Sequence, residues 1–226
     1  MKPDRMLLGF LQVVVLFTLT GCLAPRLPKP RSTADWLERE RITLPGAAGH
    51  HAKANIHNSA LIFVDIAASG TVCIACTAIS DEIYSRILGK AVAEFGATIP
   101  LCFRADQSAL FSAVWTRVTI ARRHRLFRFS FATREGDMME FFVSDDPAGG
   151  MVNTLGVDSD RWTFNGKEVT EGQLAAMAHD WEKVATEAEV RVRVNSGTTH
   201  GQVVKAMDVA WAAGFHTLVF TDEKIN

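Results

Sequence analysis

Apolar and polar residues follow two different periods along this chain, and the C-terminal residues show both. Residues 203–215 (VVKAMDVAWAAGF) carry an apolar stripe with a period of about 3.6 residues, which predicts an amphipathic helix. The stripe consists of Val203, Val204, Met207, Ala210 and Trp211. Gly214 can supply the left-handed backbone conformation that often ends a helix. The runs 190–195 and 216–222 alternate every second residue, so a strand is predicted on each side of the helix.

A second segment repeats this pattern. Residues 101–133 align without a gap with residues 190–222, and each segment predicts a strand, an amphipathic helix and a second strand. The polar residue after the first strand is Asp106 in one segment and Asn195 in the other. The apolar stripes of the two helices also coincide in this alignment. We therefore predict an internal duplication.

The likeness extends upstream of both segments. Residues 71–79 parallel residues 161–169, where an Asn-Gly pair at 165–166 predicts a two-residue hairpin turn. Ser80 and Thr170 follow these stretches, and each is expected to cap a helix because its hydroxyl can accept a hydrogen bond from the first turn.

Together these elements predict an α+β fold of two tandem β-β-α-β-α-β sandwiches, each with two helices on one face of a small mixed sheet. The predicted copies occupy residues 61–135 and 138–226. The strand that opens the second copy is either 138–143 or 152–157, and the pattern leaves both open.

The N-terminus has the pattern of a targeting segment. A short, mildly basic start precedes an apolar run, and Leu-Thr-Gly-Cys follows at 19–22. This resembles a bacterial lipoprotein signal, in which Cys22 becomes the first mature residue and its sulfur carries the diacylglycerol. Acyl chains hold a protein on a membrane by burying methylene groups, about 0.8 kcal/mol each. Residues 1–21 are therefore predicted to be a signal peptide and residues 22–60 a tether.

An uncleaved membrane helix over residues 6–24 is the alternative, since this stretch is at the lower length limit for crossing a bilayer. Both interpretations place most of the chain outside the cytoplasm. The expected location is therefore the cell envelope, with the folded part facing the periplasm.

Three further cysteines would lie in an oxidising compartment there. Cys73 and Cys76 form a Cys-x-x-Cys pair in strand-like sequence, so a local disulfide across a tight turn, or simply small buried thiols, is favoured over redox catalysis. A zinc site would need a second pair of ligands. The sequence predicts no metal and no cofactor.

Charge and motifs argue against two large classes of protein. The net charge is -1 at pH 7, which gives no support for nucleic acid or an anionic membrane surface as a main partner. Four arginines surround His124 at 122–128, and this cluster is interpreted as a solvated helix end. The acidic residues do not pair with a nucleophile or a metal motif at diagnostic spacing, and P-loop, GxSxG and HExxH motifs are missing. An enzyme is therefore not expected.

Three stretches of the chain resemble a known family. Residues 190–223 are similar to the end of the periplasmic domain of ExbD/TolR proteins, where a strand ending in Asp leads to a helix with a Val-Val-Lys-x-Met-Asp core, then Ala-Gly and a final strand. Residues 164–169 resemble the family's Asn-Gly-Lys-x-Val hairpin, and 42–47 its linker. The positions that match the family motif are Asp106, Asn195 (in place of Asp), Lys205, Asp208 and Gly214.

One departure changes the implied role. ExbD/TolR proteins have a membrane helix with an essential Asp that takes part in proton flow, whereas the run 6–24 contains no acidic residue. The resemblance thus implies a non-enzymatic, lipid-anchored periplasmic binding or accessory module, associated with proton-motive-force-driven transport or envelope maintenance. The alternative is an integral inner-membrane biopolymer transport subunit that keeps 6–24 as a transmembrane helix.

The family also implies partners. Its periplasmic domains pair through sheet edges, so two copies in one chain are expected to form an internal pseudo-dimer, with a homodimer as the alternative. ExbB/TolQ-like or TonB/TolA-like envelope proteins are the implied partners, and the predicted edge strand 216–222 is the candidate for pairing with them. The expected core and contact residues are Val203, Val204, Met207, Trp211, Leu218 and Phe220.

Overall fold

The computed structural model describes residues 42–47, 61–75, 77–134, 137–144, 153–159, 161–181, 189–215 and 217–221. All of them belong to one compact unit, residues 34–226. The strands are β1 (Ile62–Ile66), β2 (Val72–Ile74), β3 (Thr77–Ile79), β4 (Leu101–Ala105), β5 (Phe129–Ala132), β6 (Met138–Ser144), β7 (Asn153–Val157), β8 (Trp162–Phe164), β9 (Lys167–Val169), β10 (Glu189–Val194) and β11 (Thr217–Thr221). The helices of the described residues are α1 (Asp81–Phe95), α2 (Phe111–Arg123), α3 (Glu171–Trp181) and α4 (His200–Ala212).

The fold is α+β, with one large mixed sheet instead of two small ones. Its eleven strands have the order β3-β2-β1-β4-β5-β6-β11-β10-β7-β8-β9. β6 joins the two halves, because it pairs antiparallel with β5 on one side and parallel with β11 on the other. The expectation of two separate sandwiches is corrected accordingly.

The same pairings occur in both halves of the sheet. In the first half β1 pairs parallel with β4, and β4 pairs parallel with β5. In the second half β7, β10 and β11 pair in the same way. The register repeats as well, since Leu101 opposite Phe129 becomes Val190 opposite Leu218, a shift of 89 positions for both residues. This shift is the one given by the ungapped sequence alignment.

Each half contains one strand more than the sequence predicted before its first helix. The stretches 71–79 and 161–169 fold into the hairpins β2–β3 and β8–β9, so three strands precede α1 and α3. The second hairpin turns at Asn165 and Gly166, whose φ angles are 51° and 78°, as an Asn-Gly turn requires. β7 at 153–157 is the counterpart of β1, which resolves the choice that the sequence left open.

The strand 216–222 is not an edge of the sheet. β11 pairs with β10 on one side and with β6 on the other, so its backbone groups are used within the chain. The expectation that this strand is available to another protein is therefore wrong. The strands at the two ends of the sheet are β3 and β9.

The core lies between the helices and one face of the sheet. Val64 in β1, Phe103 in β4 and Phe131 in β5 stand side by side on this face and are fully buried. Their counterparts in the second half, together with the apolar faces of all four helices, belong to the same continuous core. Burial of this apolar area is the main stabilising contribution, about 25 cal/mol per Å².

Gly156 in β7 lies close to a side chain of the neighbouring strand on the opposite face of the sheet. A Cβ atom at this position would collide with the Oγ1 atom of Thr163 in the paired strand β8. Gly156→Ala is therefore expected to lower the free energy of unfolding by roughly 1–3 kcal/mol, as overpacking does. Urea denaturation followed by tryptophan fluorescence measures this loss.

Two variants control for the backbone effect of the substitution. Gly172→Ala adds a methyl group near the start of α3, where no atom lies within 4 Å, and it is expected to leave stability unchanged or to raise it. Thr163→Ala combined with Gly156→Ala is expected to restore most of the lost stability. An additive double variant would contradict the proposed collision.

Candidate functional site

The two halves meet where the N-terminal ends of α2 and α4 cross, and the loop residues 107–111 and 198–201 are called the seam here. The N–H of Phe111 donates to the carbonyl of Thr198 at 2.9 Å, and the N–H of His200 donates to the carbonyl of Ala109 at 2.8 Å. Leu110 and Thr199 form an isolated antiparallel bridge between these bonds. In the sequence alignment Phe111 corresponds to His200 and Ala109 to Thr198, so the two bonds are equivalent and the contact is reciprocal, as in a two-fold dimer.

The seam supplies hydrogen bonds that the helix ends need. The first N–H groups of a helix have no partner within the helix. α2 begins after Leu110, which has no side chain that can cap it, so the Thr198 carbonyl takes that role for Phe111. α4 begins after Thr199, whose hydroxyl and the side chain of Gln202 form a capping box.

Gly201 permits the close approach of the two loops. Its N–H donates to the carbonyl oxygen of Gln107 at 2.9 Å. A Cβ atom at Gly201 would lie 2.9 Å from that oxygen and 3.1 Å from the Gln107 Cβ. A side chain here would therefore push the two halves apart.

Aromatic rings from both halves fill the space beneath the seam. Phe111 stacks on His200, with ring planes 4° apart and centroids 6.5 Å apart. Phe131 meets the His200 ring edge-on at 4.8 Å and the Phe220 ring at 6.3 Å. In the alignment Phe111 corresponds to His200 and Phe131 to Phe220, so equivalent side chains contact each other across the seam.

His200 is the polar member of this cluster. Its side chain is fully buried, and neither ring nitrogen has a hydrogen-bond partner among the described residues. Burial lowers the pKa of His200 to about 3, although the negative charge of Asp106 acts in the opposite direction. The imidazole is therefore neutral at physiological pH.

Asp106 lies next to the seam and binds the segment 42–47. Its carboxylate accepts hydrogen bonds from the N–H of Thr43 at 2.7 Å and from the N–H and hydroxyl of Ser108. Burial raises the pKa of Asp106, but the hydrogen bonds from Ser108 and Thr43 outweigh burial and hold it below its ordinary value. Arg134 holds the same segment, because its N–H donates to the Pro45 carbonyl at 3.0 Å.

The structure places the remaining predicted site residues as follows. Val203, Val204, Met207, Leu218 and Phe220 are buried in the core, and Trp211 packs against it partly exposed. Lys205 is exposed and pairs with Glu171 of α3 at 2.8 Å. Asp208 is 6% exposed on α4, and Gly214 ends that helix at φ 89°. Asn195 donates through Nδ2 to Asp158 at 3.1 Å.

The structure describes only one of the three cysteines for which a role was predicted. Cys73 is buried in β2, whereas Cys76 lies outside the described residues, so the Cys73–Cys76 disulfide stays a prediction. Cys22, the predicted lipidation site, also lies outside them, together with the run 6–24. Within the part of the chain that the structure describes, no helix is long and apolar enough to cross a membrane.

A polar cleft of about 590 Å³ lies over β7, β8 and β10, and sequence reasoning missed it. Its charged lining residues are Asp158, Arg161, Glu168 and Arg193. In the first half the equivalent place is filled, because Asp65 stands where β7 has Gly156 and makes two hydrogen bonds to Arg104, at 2.6 and 2.8 Å. The two halves therefore differ at this position, with Asp65 in the first and Gly156 in the second.

The seam was also missed by sequence reasoning. The ungapped alignment contains a signal, since it matches His200 with Phe111 and thereby marks position 200 as an inward-facing aromatic position. No group of three or more His, Cys, Asp or Glu residues suited to a metal ion is found in the described ranges.

Comparisons with known proteins add no relative. No protein-family model matches the chain, and a search of curated proteins finds no significant match.

The pKa of His200 predicts how acid affects stability. In the unfolded chain this imidazole titrates near 6.5, whereas in the folded protein it titrates near 3. The unfolded state therefore binds an extra proton below pH 6.5, and stability falls as the pH drops from there towards 3, by at most about 1.4 kcal/mol per pH unit.

His200→Phe removes the pH-dependent contribution of this imidazole to stability. Phenylalanine is the residue at the equivalent position 111 of the first half. The difference in unfolding free energy between His200→Phe and the wild type is expected to be constant above pH 6.5 and to grow by roughly 2 kcal/mol by pH 4.5. Urea denaturation at several pH values measures it. Parallel stability curves for the two proteins would contradict a neutral, buried His200.

Proposed function

We propose that this protein is a non-enzymatic, lipid-anchored periplasmic binding module of an ExbD/TolR-like envelope system. Two ExbD/TolR-type domain copies fold together as an internal pseudo-dimer, and the segment that follows the membrane anchor docks beside the seam. The module acts by holding partner proteins near the membrane and not by chemical catalysis.

The reciprocal seam is the observation that carries the pseudo-dimer. Phe111 bonds to Thr198 and His200 bonds to Ala109, which is the pattern that two identical subunits make across a two-fold axis. The repeated strand register supports a duplication independently of the seam. Two copies in one chain need no second subunit to cover this surface.

The motif residues support the family assignment through their structural roles. The ends of α2 and α4 use the same backbone bonds, Leu126 N–H to Ala121 and Phe215 N–H to Ala210, the latter next to Gly214 of the motif. Asp106 binds Thr43 of the segment that resembles the family linker. In the family a linker leads from the membrane to the folded domain. The contact between Thr43 and Asp106 is consistent with such a tether joining the domain beside the end of β4.

Partner pairing is assigned to β3, since β11 is paired within the chain. Thr77 and Ala78 of β3 are exposed and uncharged, whereas β9 at the other end of the sheet exposes Lys167 and Glu168. Charged side chains on an edge strand discourage pairing with another strand. ExbB/TolQ-like or TonB/TolA-like proteins are the proposed class of partner.

The lipid anchor is tested by metabolic labelling with radiolabelled palmitate. We expect the wild-type chain to incorporate label and Cys22→Ser to lose it, while Cys102→Ser, a matched control at a buried cysteine, keeps it. Absence of label in the wild type would favour the alternative, an integral transport subunit with residues 6–24 as a membrane helix.

The internal pseudo-dimer is tested by multi-angle light scattering on the full-length protein in detergent. The account predicts one chain per particle after the mass of bound detergent is subtracted, at all protein concentrations. A tight, concentration-independent dimer would show that the surfaces of the two halves do not satisfy each other.

A further inference from the structure

The turn after α2, residues 122–128 (RRHRLFR), carries an unusual concentration of cations and is called the basic turn here. Arg123, Arg125 and Arg128 are exposed, and Phe127 between them is 49% exposed. Among the described residues Arg128 pairs only loosely with Glu140, at 3.8 Å, and no ion pair is recorded for Arg123 or Arg125. Cations at the C-terminal end of a helix stabilise it, which accounts for arginines in the last turn of α2 but not for those beyond it.

The fold does not require these charges. The equivalent turn after α4, residues 211–217, has the same backbone hydrogen bonds: Arg125 N–H to Arg122 corresponds to Gly214 N–H to Trp211. Yet its sequence, WAAGFHT, contains no arginine or lysine. The four arginines of the basic turn are therefore an addition to a turn that forms without them.

One of the arginines is retained at a cost. Arg125 has a φ of 62°, in the left-handed region, and its counterpart Gly214 has a φ of 89°. A glycine adopts this conformation without steric penalty, whereas a side chain with a Cβ atom is strained there. A strained cation at a position where glycine would stabilise the turn points to a function of the charge.

The side chains fit one kind of surface. Guanidinium groups bind phosphate oxygens through paired hydrogen bonds, so three exposed arginines favour a phosphate-rich surface. An exposed phenylalanine among them adds an apolar group that enters the boundary between head groups and acyl chains. A soluble anion would use the arginines and leave Phe127 in water.

We propose that the basic turn docks on the surface of an anionic phospholipid bilayer, with Arg123, Arg125 and Arg128 on lipid phosphates and Phe127 inserted between head groups. This site is separate from the membrane anchor at the N-terminus. It fixes the orientation of the folded unit against the bilayer, and it acts in the same way whether the anchor is an acyl group or a helix.

The position of the basic turn allows this orientation. The turn leads into β5, so it lies at the end of the sheet where Leu101 and Phe129 stand side by side. Thr43 contacts Asp106 at the other end of β4, a strand of five residues or about 17 Å. Nineteen residues lie between Cys22 and Ile42, and a chain of that length can span up to about 70 Å. The docking point of the tether therefore does not prevent contact between the basic turn and the membrane.

Photo-crosslinking in proteoliposomes tests the proposal on the full-length chain. Phe127 is replaced by p-benzoylphenylalanine, the protein is reconstituted with radiolabelled phosphatidylglycerol in phosphatidylcholine, and lipid adducts are counted after irradiation. Position 83 is the matched control, because Ile83 is 40% exposed in the first turn of α1, at the opposite end of the sheet from the basic turn. We expect adducts at position 127 and at least tenfold fewer at position 83.

Charge variants identify the contribution of the arginines. A basic residue at an anionic membrane surface contributes about fivefold to affinity, so Arg123→Gln combined with Arg128→Gln should reduce adducts at position 127 by about tenfold or more. Lys167→Gln combined with Lys205→Gln makes the same change in net charge elsewhere and should leave the adducts unchanged. Equal labelling at positions 127 and 83, or labelling that is insensitive to the arginine variant, would overturn the proposal.

Two further measurements test whether a loss of adducts reflects misfolding and whether the ligand is free phosphate. Arg125→Gly should raise the thermal unfolding midpoint by roughly 2–4 °C, since it relieves the strain, and reduce adducts by about fivefold. A lower midpoint together with fewer adducts would mean that the loss reflects unfolding, and the charge assignment would fail. Inorganic phosphate at constant ionic strength should not reduce the lipid adducts at position 127. If phosphate abolishes them, the basic turn is a site for free phosphate and the proposal fails.

Discussion

The pair of backbone hydrogen bonds across the seam is the constraint on which the rest of the structure depends. Each bond satisfies the first N–H group of a helix in one half with a carbonyl of the other half. An unsatisfied N–H at a buried helix end costs about 1–3 kcal/mol, so neither helix end is fully satisfied alone. The aromatic rings of Phe111, Phe131, His200 and Phe220 pack against one another beneath these bonds. The seam therefore binds the two halves together at helix ends that would otherwise be left unsatisfied.

The two halves carry different side chains at several equivalent positions without a change in the backbone fold. Asp65 and Arg104 form an ion pair where the second half has Gly156 and Arg193, and these two residues of the second half line the polar cleft. Arg125 replaces a glycine of the second half at a left-handed position. In each case the backbone hydrogen bonds are the same and the side-chain chemistry has changed. Such differences mark the surfaces on which a duplicated fold can carry separate binding roles.

Much of the fold could be predicted from the sequence because it depends on local patterns. The helical period of 203–211 and the alternation of 190–195 correspond to α4 and β10, and the ungapped alignment gives the register of both halves. The insertion of β6 between β5 and β11 could not be predicted, because strand order depends on contacts that are distant in sequence. For that reason the strand 216–222 was wrongly expected at an edge.

The candidate sites were less predictable than the fold. Gly201 has no unusual φ angle, and only the position of the Gln107 carbonyl explains why a side chain does not fit there. The burial of His200 likewise depends on rings contributed by α2, β5 and β11. The basic turn was visible as a charge run, and the alignment of Arg125 with Gly214 indicated strain if this helix also ended in a left-handed residue. That the helix does end in this way, with a φ of 62° at Arg125, is known only from the backbone.

Native-state hydrogen exchange of two amide protons tests the central claim most directly. If the halves are held by reciprocal bonds, the N–H groups of Phe111 and His200 become accessible only when the seam opens as a whole. Both should then exchange with the same free energy of opening, close to that of global unfolding. A free energy for one of them that lies well below the other would show that the two bonds open independently, and would contradict the pseudo-dimer.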